Sequence, residues 1–232
     1  MSRRTMLQGS AAALLTTALG QLAHAQSPKQ SAPDPERFFD DWRTLSNRLL
    51  EKSEIDEEAY IRGLDALIAQ QQLAAMPRRE KVFFEEEGLK TGASWMEDKI
   101  FIIELTMDPG AIVQPHNHPS HNSLSVGLLG SCTFSHYEVP NDAPAAKPDT
   151  PHFQVQRTRS GLLTPGRRSD LTRTRDNVHA FQAGDQGATI LDFTTTVGDP
   201  SRSFSVLEID SKPMGKQGDA FEARWIGNPY SG

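Results

Sequence analysis

From Pro77 onward the chain breaks into short apolar runs that never reach helical length. No other feature constrains the fold as much. Runs at 81–84, 99–107, 111–115, 124–130, 189–195 and 203–209 are rich in β-branched and aromatic residues, and Gly, Pro, Asp and Asn separate them. That spacing predicts an antiparallel sandwich or barrel. A Pro/Ala/Asp-rich stretch from Pro140 to Pro151 interrupts it and reads as a loop. No internal repeat is visible.

Upstream of Pro77 the period changes. Asp34-Pro35 reads as a helix N-cap followed by Pro at the first helical position. Phe38, Trp42, Leu45 and Leu49 then fall on one helix face. Ser53-x-x-Asp56 resembles a capping box opening a second helix, with Tyr60, Leu64, Leu67 and Ile68 as its apolar stripe. These aromatics read as core. With 24 Lys+Arg against 30 Asp+Glu, the net charge of −6 argues against nucleic acid as a partner. The single cysteine, Cys132, excludes an internal disulfide and a CxxC redox site.

Residues 1–25 resemble a bacterial twin-arginine export signal. Arg3-Arg4 precedes a weakly apolar run from Ala11 to Leu19, and Ala23-His24-Ala25 supplies a small-x-small cleavage pattern. The run is too short for a membrane anchor, which needs about 20 apolar residues. The resemblance implies a periplasmic or secreted protein, with the twin-arginine translocase as its partner during export. That route moves folded proteins, so a metal could be loaded before export. The expected organisation is a signal at 1–25, a flexible leader at 26–33, helices packed on the barrel at 34–76, and a β-barrel at 77–232.

His116, His118 and His121 lie within six residues. If 111–115 is a strand, residues two apart point the same way, so His116 and His118 can aim two imidazoles at one point. Neutral imidazole suits Fe, Zn, Cu and Ni. His179, after the polar turn Asp176-Asn177-Val178, is the best third ligand, with His136 and His152 as competitors.

Gly110-x5-His116-x-His118, with Gly130 twelve residues on, resembles the first motif of the cupin superfamily. That family has a double-stranded β-helix, or jelly-roll barrel. The motif's Glu is absent: Asn122 or Ser123 stands there, and no acid lies between His116 and Gly130. More narrowly, Pro115-His-Asn-His-Pro119, Leu163-Thr-Pro165, Asn177-Val-His179 and Leu191-Asp192 resemble segments of the cupin thiol dioxygenases of the cysteamine dioxygenase and plant cysteine oxidase type. The resemblance covers residues 100–195. Asp176 replaces a family Gly, Asn117 replaces an Asp, and Thr195-Thr-Val-Gly198 stands where that family has Pro-Pro-Tyr.

The resemblance implies a mainly β, cupin-type barrel with two N-terminal helices, and Fe(II) held by His116, His118 and His179. It implies oxidation of a small thiol by O₂ to a sulfinic acid. Asp192 would stand behind the ligands, positioning a substrate amine or a hydrogen bond. His121 is either at the site entrance or on the surface, Tyr137 is a candidate for the missing Tyr, and Cys132 reads as a buried inert thiol. Two other readings stay open: a cupin enzyme with Mn, Ni, Zn or Cu and a non-thiol substrate, and a ligand-binding barrel without catalysis.

Overall fold

The computed structural model describes residues 35–51, 55–78, 81–148, 150–199, 204–214 and 218–227. The expected signal and leader, the cap at Asp34, and Ser53 lie outside them. Helix α1 (Pro35–Leu50) has Pro at its first position and buries Phe38, Phe39, Trp42 and Leu49 along one face. Helix α2 (Glu57–Ile68) starts one residue after Asp56, which is itself the cap: its carboxylate accepts from the Ala59 N–H. Tyr60, Ile61, Leu64 and Ile68 are buried. A short 3₁₀ turn, Leu73–Ala75, follows. Neither helix is long and apolar enough to cross a membrane.

Among the described residues ten strands follow: β1 (Lys81–Glu86), β2 (Leu89–Glu97), β3 (Ile100–Met107), β4 (Ile112–Asn117), β5 (His121–Glu138), β6 (Phe153–Leu163), β7 (Arg168–Leu171), β8 (Val178–Thr196), β9 (Val206–Ile209) and β10 (Ala220–Gly227). All their pairings are antiparallel. The order β8-β4-β9-β10-β6-β5 closes because β5 also pairs with β8. β1-β2-β3 extends the sheet from β8, and β7 lies on β5. This closed antiparallel ring is the cupin-type double-stranded β-helix, and closure removes most free strand edges.

Two of the expected runs are parts of longer strands. The 124–130 run continues through His136 as β5, and the 189–195 run begins at Val178 as β8. Their pairing register steps twice. β5 gains one residue between Gly127 and Leu129, and β8 bends between Ala188 and Ala183. From the pair Gly130–Ala188 to the pair Cys132–Ala183, β5 advances two residues while β8 advances five. An odd advance reverses which residues face inward. Phe181 and Ala183 therefore share one core cluster with Ala188 and Ile190. The bend requires glycine: Gly130 and Gly187 have φ of +64° and +70°, and a Cβ on Gly130 would sit 2.1 Å from the Gly187 carbonyl oxygen.

The helices cover the outer face of β3, β5 and β8. Trp42 and Phe38 meet Phe193 of β8 at ring-centroid distances of 5.7 and 6.0 Å. Buried Tyr60 anchors this layer. Its hydroxyl accepts from the Trp42 indole N–H at 2.9 Å and hydrogen-bonds the Thr195 hydroxyl at the end of β8.

Candidate metal centre and its cavity

β4 and β8 pair so that His116 faces His179 directly. β4 runs two residues past the expected 111–115 strand and so contains His116, while His118 lies one residue beyond it. It is fixed instead by Asn177, whose carbonyl and side-chain oxygens both accept from the His118 backbone N–H at 3.0 and 2.7 Å. The preceding Asp176 occupies the place of the family's Gly and has φ +52°. Asp tolerates this left-handed conformation better than most residues. The Asn117 side chain turns the other way and accepts from the Ser205 N–H at 2.6 Å.

The three imidazoles converge. The His179 Nε2 lies 3.0 Å from the His118 Nε2 and 3.2 Å from the His116 Nε2, and the trio's donor atoms lie within 4.8 Å of one another. Imidazole nitrogens bind first-row ions at about 2.0–2.1 Å, so two of them at right angles about one ion sit roughly 3.0 Å apart. The donor set and spacing therefore fit a single ion. The His116 Nδ1–H donates to the Gln114 carbonyl at 2.8 Å, which turns Nε2 toward the other two rings. Burial pulls the pKa of all three histidines below the ordinary imidazole value, most for His118 and His179, where the neighbouring imidazoles add to it. All three are held neutral, the form that ligates.

Asp192 lies outside the trio but on the same cavity. Its Oδ1 accepts from the hydroxyls of Ser123 at 2.5 Å and Ser125 at 2.8 Å. Ser123, one of the two residues at the motif's Glu place, thus supports a carboxyl from β8. Burial pushes the Asp192 carboxyl up, against those two hydrogen bonds.

The cavity holds about 490 Å³. The histidine trio lines it beside Phe84, Phe101, Phe181 and Phe204, with Leu105 and Val113 filling between them. His121 also lines it, with its ring 6.3 Å from that of His118, so it is no outlying surface histidine. The phenylalanines, Gln114 and Thr194 escaped the reading from sequence. Phe181 was within reach, because it stands two residues after His179 on one strand.

Other candidates lie elsewhere. His136 is buried against the trio, 6.0 Å from the His179 ring, but its Nε2 is taken by the Ser169 hydroxyl at 2.7 Å. His152 is exposed and pairs with Glu222. Tyr137 cannot replace the missing Tyr: it packs in a separate cluster against Phe221, with rings 6.1 Å apart. Thr195 is engaged by Tyr60, and Ser120 accepts from the N–H groups of Val197 and Gly198, so this segment belongs to the helix layer. Cys132 is buried, which pushes its thiol up to about 12.

No protein-family model and no curated protein match the chain. Solved structures do resemble it. KdgF from Halomonas sp. is 14% identical, with a TM-score of 0.37, over 50% of this chain and 88% of its own. The Lactobacillus farciminis oxalate decarboxylase formate complex is 14% identical, with a TM-score of 0.38, over 54% of this chain and 33% of its own. A Klebsiella pneumoniae protein with a double-stranded β-helix domain is 12% identical, with a TM-score of 0.37, over 55% of this chain and 90% of its own. At such scores none of them assigns a function. The closed ring of this chain's own strands establishes its cupin-type double-stranded β-helix fold.

Proposed function

We propose that this chain is a metal-dependent dioxygenase that oxidises a thiol to a sulfinic acid with O₂, using Fe(II) held by His116, His118 and His179. The observation that carries the reading is the trio: three neutral imidazole nitrogens turned to one point at an apolar cavity. When bound, Fe(II) supplies a centre that keeps its full charge among neutral ligands, favours a thiolate and brings O₂ into contact with sulfur. The balance is RSH + O₂ → RSO₂H. Sulfur is oxidised, O₂ is reduced, both oxygen atoms stay in the product, and no further reductant is consumed.

The chain's residues do the rest. The Gln114 carbonyl holds the His116 ring, and Asn177 fixes the His118 backbone. Asp192, oriented by Ser123 and Ser125, positions a polar group of the substrate. The phenylalanines make the cavity wall apolar. A second reading, with Mn, Ni, Zn or Cu and a non-thiol substrate, is favoured by one observation: Thr195–Gly198 is tied to the helix layer and offers no counterpart of the family's Tyr. Arg3-Arg4 and Ala23-His24-Ala25 support export through the twin-arginine translocase to the periplasm or beyond, which N-terminal sequencing of the exported protein tests.

The test of activity is oxygen uptake by protein loaded anaerobically with Fe(II). Cysteamine, cysteine, 3-mercaptopropionate, a peptide with N-terminal cysteine and phenylmethanethiol are added in turn. Thiol-dependent uptake that disappears in His179→Ala supports the reading. Stoichiometric iron with no uptake for any thiol overturns it.

A further inference from the structure

The cavity is too large and too apolar for a small polar thiol. Its 490 Å³ equals the liquid volume of about sixteen waters and falls in the range of roughly 300–1,000 Å³ that holds drug-sized ligands. The extension β1-β2-β3 lines the cavity with Phe84, Leu89, Phe101, Ile103 and Leu105, of which Ile103 and Phe101 lie in register beside Asp192 and Thr194 of β8. Phe181 and Phe204 close the histidine side. The polar lining is the trio, His121, Gln114, Asp192 and Thr194, with Thr91 on β2. No Lys or Arg is among the lining residues.

From this size and this mostly apolar lining, free of Lys and Arg, we infer that the substrate is a molecule with an extended apolar body, of the size of one or two aromatic rings, and a single small polar head turned to the histidines. The inference takes its reaction from the proposed function but concerns the body, not the head. Cysteine or cysteamine would leave most of the cavity as water against phenylalanine, with at most two methylenes to bury. An apolar body displaces that water. Each buried methylene is worth about fourfold in affinity, and an aromatic ring set edge-on to the phenylalanines adds about two- to tenfold beyond its area.

Two series separate body from head. The first measures binding of straight-chain alcohols from ethanol to hexanol, then phenylmethanol and naphthalenemethanol, to the full metal-loaded chain by titration calorimetry. The second measures oxygen uptake with the matching thiols beside cysteamine and cysteine. Affinity should rise about fourfold per methylene along the alcohols. The matching thiols should outperform cysteamine in kcat/KM by at least tenfold. Thr91→Trp, which narrows the cavity from β2, should remove the gain for the ring compounds and leave ethanol unchanged. Should that variant misfold by circular dichroism, Val113→Phe narrows the cavity from β4.

A flat alcohol series overturns the inference, as does unchanged binding of naphthalenemethanol to a folded, narrowed variant. Alcohols that bind as expected, with no uptake from any thiol, would sink the thiol reaction and leave the inference standing. Rapid oxidation of cysteamine beside a flat alcohol series would do the reverse.

Discussion

Asp192→Asn isolates one buried charge. The amide oxygen can still accept from Ser123 and Ser125, so packing and both hydrogen bonds survive while the ionisable proton is lost. Burial raises the carboxyl above its usual range, so the folded chain holds this proton more tightly than the unfolded chain does. Above the unfolded Asp value of about 3.9 the folded state therefore binds more protons, and stability falls as pH rises. The slope for one group is at most about 1.4 kcal/mol per pH unit, and it ends once pH passes the raised folded value. The variant lacks this slope. It should match the wild type near pH 4 and become the more stable of the two as pH rises, by up to about 1.4 kcal/mol for each pH unit in that window. Urea unfolding of both proteins with a chelator present, from pH 4 to pH 8, measures the difference, in which every other titrating group cancels. A difference independent of pH would refute the reasoning. So would a wild type that gains on the variant as pH rises, because that requires a cation partnering the carboxylate.

Three further outcomes follow from the geometry. His179→Ala removes the nitrogen that both other imidazoles approach, and should lower metal affinity at least tenfold by competition with a chromogenic chelator while the circular dichroism spectrum is kept. Tyr60→Phe leaves the buried Trp42 N–H and Thr195 hydroxyl without their partner and should cost about 1–3 kcal/mol in denaturant unfolding; no loss would show the helix layer held by apolar contact alone. Gly130→Ala forces a side chain into positive φ and against the Gly187 carbonyl, and should lower stability by more than about 1 kcal/mol and by more than Gly218→Ala, which shares the positive φ but meets no atom within 4 Å.

How far the sequence alone reaches is clearest strand by strand. The trio was legible in the spacing of two histidines two residues apart and a third after a polar turn, although its convergence rests on the β4–β8 pairing and on Asn177 holding His118 beyond β4. The apolar faces of α1 and α2 were legible for the same local reason. β2 and β10 went unread although Phe221, Ala223, Trp225 and Gly227 alternate inward along β10, because charged residues on the outer face hide that alternation in a simple scan for apolar runs. Tyr137 was misplaced because proximity to a site across a sheet depends on which core it faces, and His136, one residue before it, faces the trio instead. The phenylalanine wall comes from β1, β3, β8 and the segment before β9, which only the closed ring brings together.

The bend in β8 has a consequence for how such a chain can change length. His179 and Phe181 lie on one side of residues 184–187, and Asp192 and Thr194 on the other, yet all four reach one cavity because the two inward series are offset by an odd advance, five positions from Ala183 to Ala188. Losing or gaining one residue there would turn either the histidine or the carboxyl to the outside, whatever residues remained. A change of two would keep both in phase. The segment therefore works as a counter whose parity is what selection can see.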